Sequence, residues 1–102
     1  MDTDLTLDRF IEITPGVRSG KPRLAGKRIT VQDIAIWHER LGHSADQIAT
    51  EHDLSLAETY AALAYYFDHR AEIEQSIRDD QALVEALRQS TPSLLKRKLH
   101  GV

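Results

Sequence analysis

The chain has no cysteine. A disulfide framework and a thiolate-ligated zinc site are therefore excluded, and stability has to come from packing or association, in keeping with a reducing cytoplasm. Nothing in it approaches the roughly 20 consecutive apolar residues of a membrane span. Met1 to Arg9 is acidic and mixed, where an export signal is basic and then apolar. Neither export nor membrane insertion is expected. Internal repeats and low-complexity tracts are also missing. Acidic residues are absent from one stretch in particular: between Ile13 and Gln32 there are five basic side chains (Arg18, Lys21, Arg23, Lys27, Arg28) and no acidic one, although the formal net charge is −3. The charge is segregated, with a basic N-terminal segment set against an acidic remainder.

What is present is ordinary for a folded domain. With 41% hydrophobic and 28% charged residues in 102 positions, one modest core is affordable and two are not. Residues 1–8 read as a loose leader, 9–78 as the domain proper, and 79–102 as a C-terminal helix and tail.

The run Arg9-Phe10-Ile11-Glu12-Ile13 is a short strand cut off by the turn Thr14-Pro15-Gly16. Gly20, Pro22 and Gly26 keep the following segment out of any helix and make it a loop or irregular hairpin. Helices then start at capping signals. Thr30 with Asp33 opens a first helix that ends near Leu41, before Gly42; its apolar stripe is Val31, Ile34, Ala35, His38 and Leu41, with Ile36 and Trp37 outside it. Ser44 with Gln47 opens a short second helix carrying Ala45, Ile48 and Ala49. Ser55 with Glu58 opens a longer third one, with a stripe of Leu56, Tyr60, Leu63 and Phe67 that extends toward Ile73 and Ile77. Asp79-Asp80 is a further start, giving a helix to about Gln89 that Ser90-Thr91-Pro92-Ser93 breaks.

The second helix, a turn at Asp53-Leu54-Ser55 and the third helix have helix-turn-helix spacing. The expected fold is mainly α, a winged-helix-like or homeodomain-like core with a short N-terminal strand or hairpin and a C-terminal helical extension. The start of the third helix offers Ser55 and Thr59 but no Arg, Lys, Asn or Gln to read base edges before Arg70. Any DNA affinity therefore leans on phosphate contacts from Arg18, Lys21, Arg23, Lys27 and Arg28, and the same segment suits an acidic protein equally well. Trp37 is the candidate anchor of a homodimer. Leu83, Val84, Leu87, Leu94 and Leu95, with Lys96 and Arg97, form a candidate surface for a protein partner. His38, His43, His52, His69 and His100 include no pair at ligand spacing, and no phosphate loop or nucleophile arrangement is present, so no metal, cofactor or catalytic site is expected.

The stretch Pro15-Gly16, Gly20-Lys21-Pro22-Arg23-Leu24-Ala25-Gly26-Lys27-Arg28-Ile29-Thr30-Val31, then Leu54-Ser55 and Ala61-Ala62-Leu63-Ala64-Tyr65, resembles domain-of-unknown-function family 433. Its members resemble VapB-type antitoxins. The resemblance spans about Arg9 to Arg70 and implies a DNA-binding helix-turn-helix fold paired with a nuclease-like toxin of the PIN class. On that basis the expected function is a cytoplasmic antitoxin of a type II toxin-antitoxin system, which binds its own operator DNA as a homodimer in transcription regulation and masks its toxin through its C-terminal part. The alternatives are a protein-interaction module without DNA binding and a stand-alone transcriptional regulator.

Overall fold

A computed structural model describes residues 9–100, with side chains described over residues 9–90. The acidic leader, residues 1–8, lies outside the described residues. The elements run β1 (Ile11–Glu12), a 3-10 turn (Arg18–Gly20), β2 (Arg23–Leu24), α1 (Val31–Ala35) continuing as a π-helical turn (Ile36–Arg40), α2 (Ala45–Glu51), α3 (Leu56–Asp68) and α4 (Arg70–His100). The fold is mainly helical, with a short N-terminal antiparallel hairpin and a C-terminal helix.

β1 and β2 pair with Ile11 opposite Leu24 and Glu12 opposite Arg23. The connection begins at Thr14-Pro15-Gly16-Val17, where the Val17 amide bonds the Thr14 carbonyl at 3.1 Å and Gly16 takes φ +85°. That is the geometry of a type II turn, which places proline second and needs glycine third. A second turn over residues 24–27 leads from β2 to Thr30, which bridges back to Arg23.

The helix starts follow the capping signals. Thr30 accepts from the Asp33 amide at 2.9 Å while the Asp33 carboxylate accepts from the Thr30 amide at 3.1 Å. Ser55 and Glu58 make the same reciprocal pair at 3.0 and 2.9 Å, and Ser44 accepts from the Gln47 amide. α2 ends in a left-handed Asp53 (φ +54°), and the Leu54 amide reaches back to the Ala49 carbonyl at 2.8 Å. This is the six-to-one bond of a Schellman stop, with the apolar residue after it turned inward; Leu54 is buried. The α2–turn–α3 unit is the expected helix-turn-helix.

Around it the core comprises Leu24, Val31, Ile34, Ile48, Ala62 and Tyr66, each nearly inaccessible. α1 and α2 both pack on α3, and β2 lies against α1 and α3. Near the end of the first helix the backbone widens into a π turn, where the Leu41 amide bonds the Ile36 carbonyl, five residues back. One extra residue in that turn rotates the end of the helix about its axis, and Leu41, expected inside, is exposed. Trp37 stacks on His52, ring centroids 3.8 Å apart and planes 2° from parallel.

Three expectations are corrected. The inward face of α3 is Thr59, Ala62, Leu63 and Tyr66, while Leu56, Tyr60 and Phe67 face solvent; the helix is apolar on both sides, so periodicity alone cannot choose between them. The third helix does not run on through Ile77. It stops at His69, whose ring Nδ1 lies 3.1 Å from the Tyr65 carbonyl and whose amide is shared between the Tyr65 and Tyr66 carbonyls. A side chain competing for the backbone ends the ladder there. Finally, Asp79-Asp80 begins no new helix, and Ser90 to Ser93 breaks none: α4 continues to His100. Asp79 instead accepts from Gln75 one turn earlier at 2.9 Å, inside the helix. The chain divides after Arg70 into two compact units, eight residues before the division read from sequence. In the second unit Ile73 and Ile77 are buried and Leu83, Val84 and Leu87 exposed.

Two substitutions test this description. Asp33→Ala removes one half of the capping box and a part-exposed ion pair, and is expected to cost about 1–2 kcal/mol in urea unfolding. His52→Ala is expected to cost about 0.5–1.5 kcal/mol and to change the emission of Trp37, the chain's only tryptophan; unchanged emission would refute the stack.

Candidate functional site

The five basic residues of the N-terminal segment do not share one environment. Arg23, on β2, is 9% exposed. Its guanidinium pairs with Glu12 across the hairpin at 3.1 Å and donates to the Thr14 hydroxyl at 3.0 Å and the Lys27 carbonyl at 2.9 Å. The pairing register causes this, since Glu12 stands directly opposite Arg23 and opposite charges in such a position attract. The Nε of Arg23 is buried without a hydrogen-bond partner.

Arg18 lies in the 3-10 turn with its side chain 36% exposed, and it too is paired within the chain. Its guanidinium spans both carboxylate oxygens of Asp33, at 3.1 and 3.4 Å, and donates to the Arg28 carbonyl at 2.7 Å. To reach them the backbone takes three consecutive left-handed conformations, φ +48° at Arg18, +61° at Ser19 and +73° at Gly20. Left-handed φ at non-glycine residues is uncommon and costs energy, which here is offset by a forked, charge-assisted contact. Two of the five expected DNA contacts are thus engaged by carboxylates of the chain itself. Lys21 is half-buried, and Lys27 and Arg28 stand at the end of the turn after β2, where Arg28 is exposed. Among the described residues neither Lys27 nor Arg28 has a side-chain ion pair.

On the helix-turn-helix, Ser55 is exposed but its hydroxyl serves the α3 cap. Thr59 is completely buried and donates to the Ser55 carbonyl at 3.0 Å. It faces the core and is out of reach of a base edge, a correction that comes from which face of α3 is inside. No lysine or arginine lies on α3, and its charged residues are Glu58 and Asp68.

Of the expected partner surface, Leu83, Val84 and Leu87 are 60%, 50% and 56% exposed on α4. The side chains of Leu94, Leu95, Lys96 and Arg97 lie outside the described residues. Trp37 is half-buried against His52, so its large face is already used within the chain. The sequence singled out the apolar row Leu56, Tyr60 and Phe67 but read it as the buried stripe of the helix, whereas it is exposed. Among the described residues no three of His, Asp and Glu gather in a metal-holding arrangement, and no helix is long and apolar enough to cross a membrane.

Comparison with known proteins adds a family. No curated protein matches the chain. A solved structure, the crystal structure of a DUF433 member protein from Anabaena variabilis ATCC 29413, is similar with a TM-score of 0.63 and 26% identity, covering 76% of each chain. The family described as "Protein of unknown function (DUF433)" matches residues 11–66, which contain the hairpin, both capping boxes and nearly all of the helix-turn-helix. The chain belongs to the DUF433 family.

Proposed function

We propose that this chain is the antitoxin of a type II toxin-antitoxin pair, a binding protein that acts in the cytoplasm as a homodimer, masks a PIN-like nuclease with its C-terminal helix and contacts its own operator DNA. The observation that carries the reading is α4. It is a single helix forming its own compact unit, and it holds Leu83, Val84 and Leu87 at least half exposed within five residues. Every side chain from Gln81 to Ser90 is exposed, so this row, unlike Ile73 and Ile77, is accounted for by a partner that covers it. Each of these side chains contributes about 1.5–3 kcal/mol when fully buried, against an ordering and association cost of several kcal/mol, so all three have to be covered together for useful affinity. The likeness to VapB-type antitoxins noted from the sequence supports the same reading.

The DNA part of the proposal contracts to the turn after β2. Lys27 and Arg28 suit phosphate contacts, whereas Arg18 and Arg23 neutralise acidic groups of the chain itself. Direct base readout by α3 has no suitable side chains. The alternative, a protein-interaction module without DNA binding, is favoured by the same two ion pairs.

Three measurements separate these. Deleting residues 80–102 is expected to abolish capture of the neighbouring reading frame's nuclease while the thermal midpoint of the remainder hardly moves; full-strength capture by the truncated chain overturns the masking role. Replacing Lys27 and Arg28 together by alanine is expected to leave stability within about 0.5 kcal/mol while flattening the log–log salt dependence of duplex binding by about 0.9 per lost contact. Arg23→Ala, by contrast, is expected to lower stability by about 1–3 kcal/mol, because it strips the hairpin of a buried set of bonds. If duplex affinity is insensitive to the Lys27/Arg28 pair, the interaction-module reading replaces the operator reading.

A further inference from the structure

The solvent side of α3 carries Leu56, Tyr60 and Phe67, 46%, 56% and 51% exposed, with the exposed Ala64 among them. Steps of four, four and three residues place all four positions on one narrow arc of the helix. In a helix-turn-helix protein this is the helix that enters the major groove. Here the helix carries no lysine or arginine to hold phosphate, and its outer row is apolar. A continuous apolar row on a well-anchored helix marks an association surface.

We infer that this row is where the chain meets a second copy of itself, the two α3 helices packing antiparallel about a two-fold axis level with Ala61 and Ala62. The inference builds on the homodimer of the proposed function and assigns its seam. Three features of the row fit a self-complementary pairing. The first is size. An axis between Ala61 and Ala62 sets Leu56 level with the second copy's Phe67 and leaves Tyr60 one residue, about 1.5 Å, from the level of the second copy's Ala64, so the large ring at the centre of each helix falls beside a small residue. Both neighbours come from one register to within a single residue's rise, and the same contacts repeat about the axis, as an isologous interface requires.

The second feature is charge. The same register brings Asp53, exposed in the turn before α3, to the level of the second copy's Arg70 at the far end of its helix. Arg70 is exposed and its guanidinium lies over the ring of its own Tyr66, 5.9 Å from the centroid. A cation at one end of the helix and an anion at the other pair twice in an antiparallel dimer and not at all in a parallel one. The third is the helix dipole, since each positive N-terminus then lies beside the second copy's Asp68 and negative C-terminus. Trp37, already stacked on His52, is left outside the seam.

Sedimentation of the full chain at micromolar concentration, with no DNA or toxin, is the test. The parent is expected to sediment as a dimer. Tyr60→Glu and Phe67→Glu are each expected to weaken the dimer at least about 30-fold, the scale of an interface hot spot. Both sites are exposed, so helical circular dichroism is expected to persist. Trp37→Ala is expected to leave the dimer intact.

Orientation is read independently of any destabilising variant. The chain has no cysteine, so Leu56→Cys and Phe67→Cys each introduce a single thiol. A short bismaleimide is expected to cross-link a mixture of the two and neither variant alone, because like positions sit about 16 Å apart along the antiparallel helices. A parent that sediments as a monomer overturns the seam and the homodimer together. A dimer indifferent to both glutamate variants, or one in which Leu56→Cys cross-links to itself, overturns the seam and leaves the homodimer standing. Variants that lose capture of the nuclease while the parent is monomeric assign the row to that partner instead.

Discussion

Asp33 holds the N-terminal third of the chain to the helical core. Its carboxylate caps α1 by accepting from the Thr30 amide, and both its oxygens also receive the Arg18 guanidinium, fifteen residues earlier in sequence. One side chain thus starts a helix and anchors the turn before the hairpin. Arg18 in turn donates to the Arg28 carbonyl, which closes the segment on itself. The left-handed backbone from Arg18 to Gly20 is also held by the Gly20 amide on the Val17 carbonyl and the Lys21 amide on the Arg18 carbonyl.

That arrangement changes the meaning of the basic segment. Five cations in twenty residues without an acidic one look like a surface for a polyanion, yet the acidic partners of two of them are supplied from just outside the segment, Glu12 on one side and Asp33 on the other. The charges were segregated along the chain only. In space Arg18 and Arg23 are neutralised, and the electrostatic character of the face rests with Lys27 and Arg28. A forked pair to a carboxylate positions backbone; it does not add field strength at a distance.

The same contrast governs α3. Its outer row and its inner row are both apolar, and the core claims the inner one because α1 and α2 approach from that side. Thr59 goes inward with the backbone and satisfies its hydroxyl on the preceding turn. What remains outside is a face suited to protein contact, on the helix that DNA-binding helix-turn-helix proteins in general place in the major groove.

The amino-acid sequence by itself determined the features that close within a few residues: the three caps at Thr30, Ser44 and Ser55, the turn at Pro15-Gly16, the stop at Asp53-Leu54 and the helix-turn-helix spacing. Such signals are legible because donor and acceptor are three to five residues apart and nothing distant competes for them. Even so, the π turn at Ile36 and the stop at His69 escaped it, since a ring bonding its own backbone and one extra residue in a turn leave no pattern in residue type. Tertiary structure alone decided which side of α3 is buried and which arginines are free. Those answers depend on Glu12, Asp33 and the approach of α1 and α2, contacts made across ten or more residues, where a one-dimensional pattern holds two equally apolar faces and five equally positive charges.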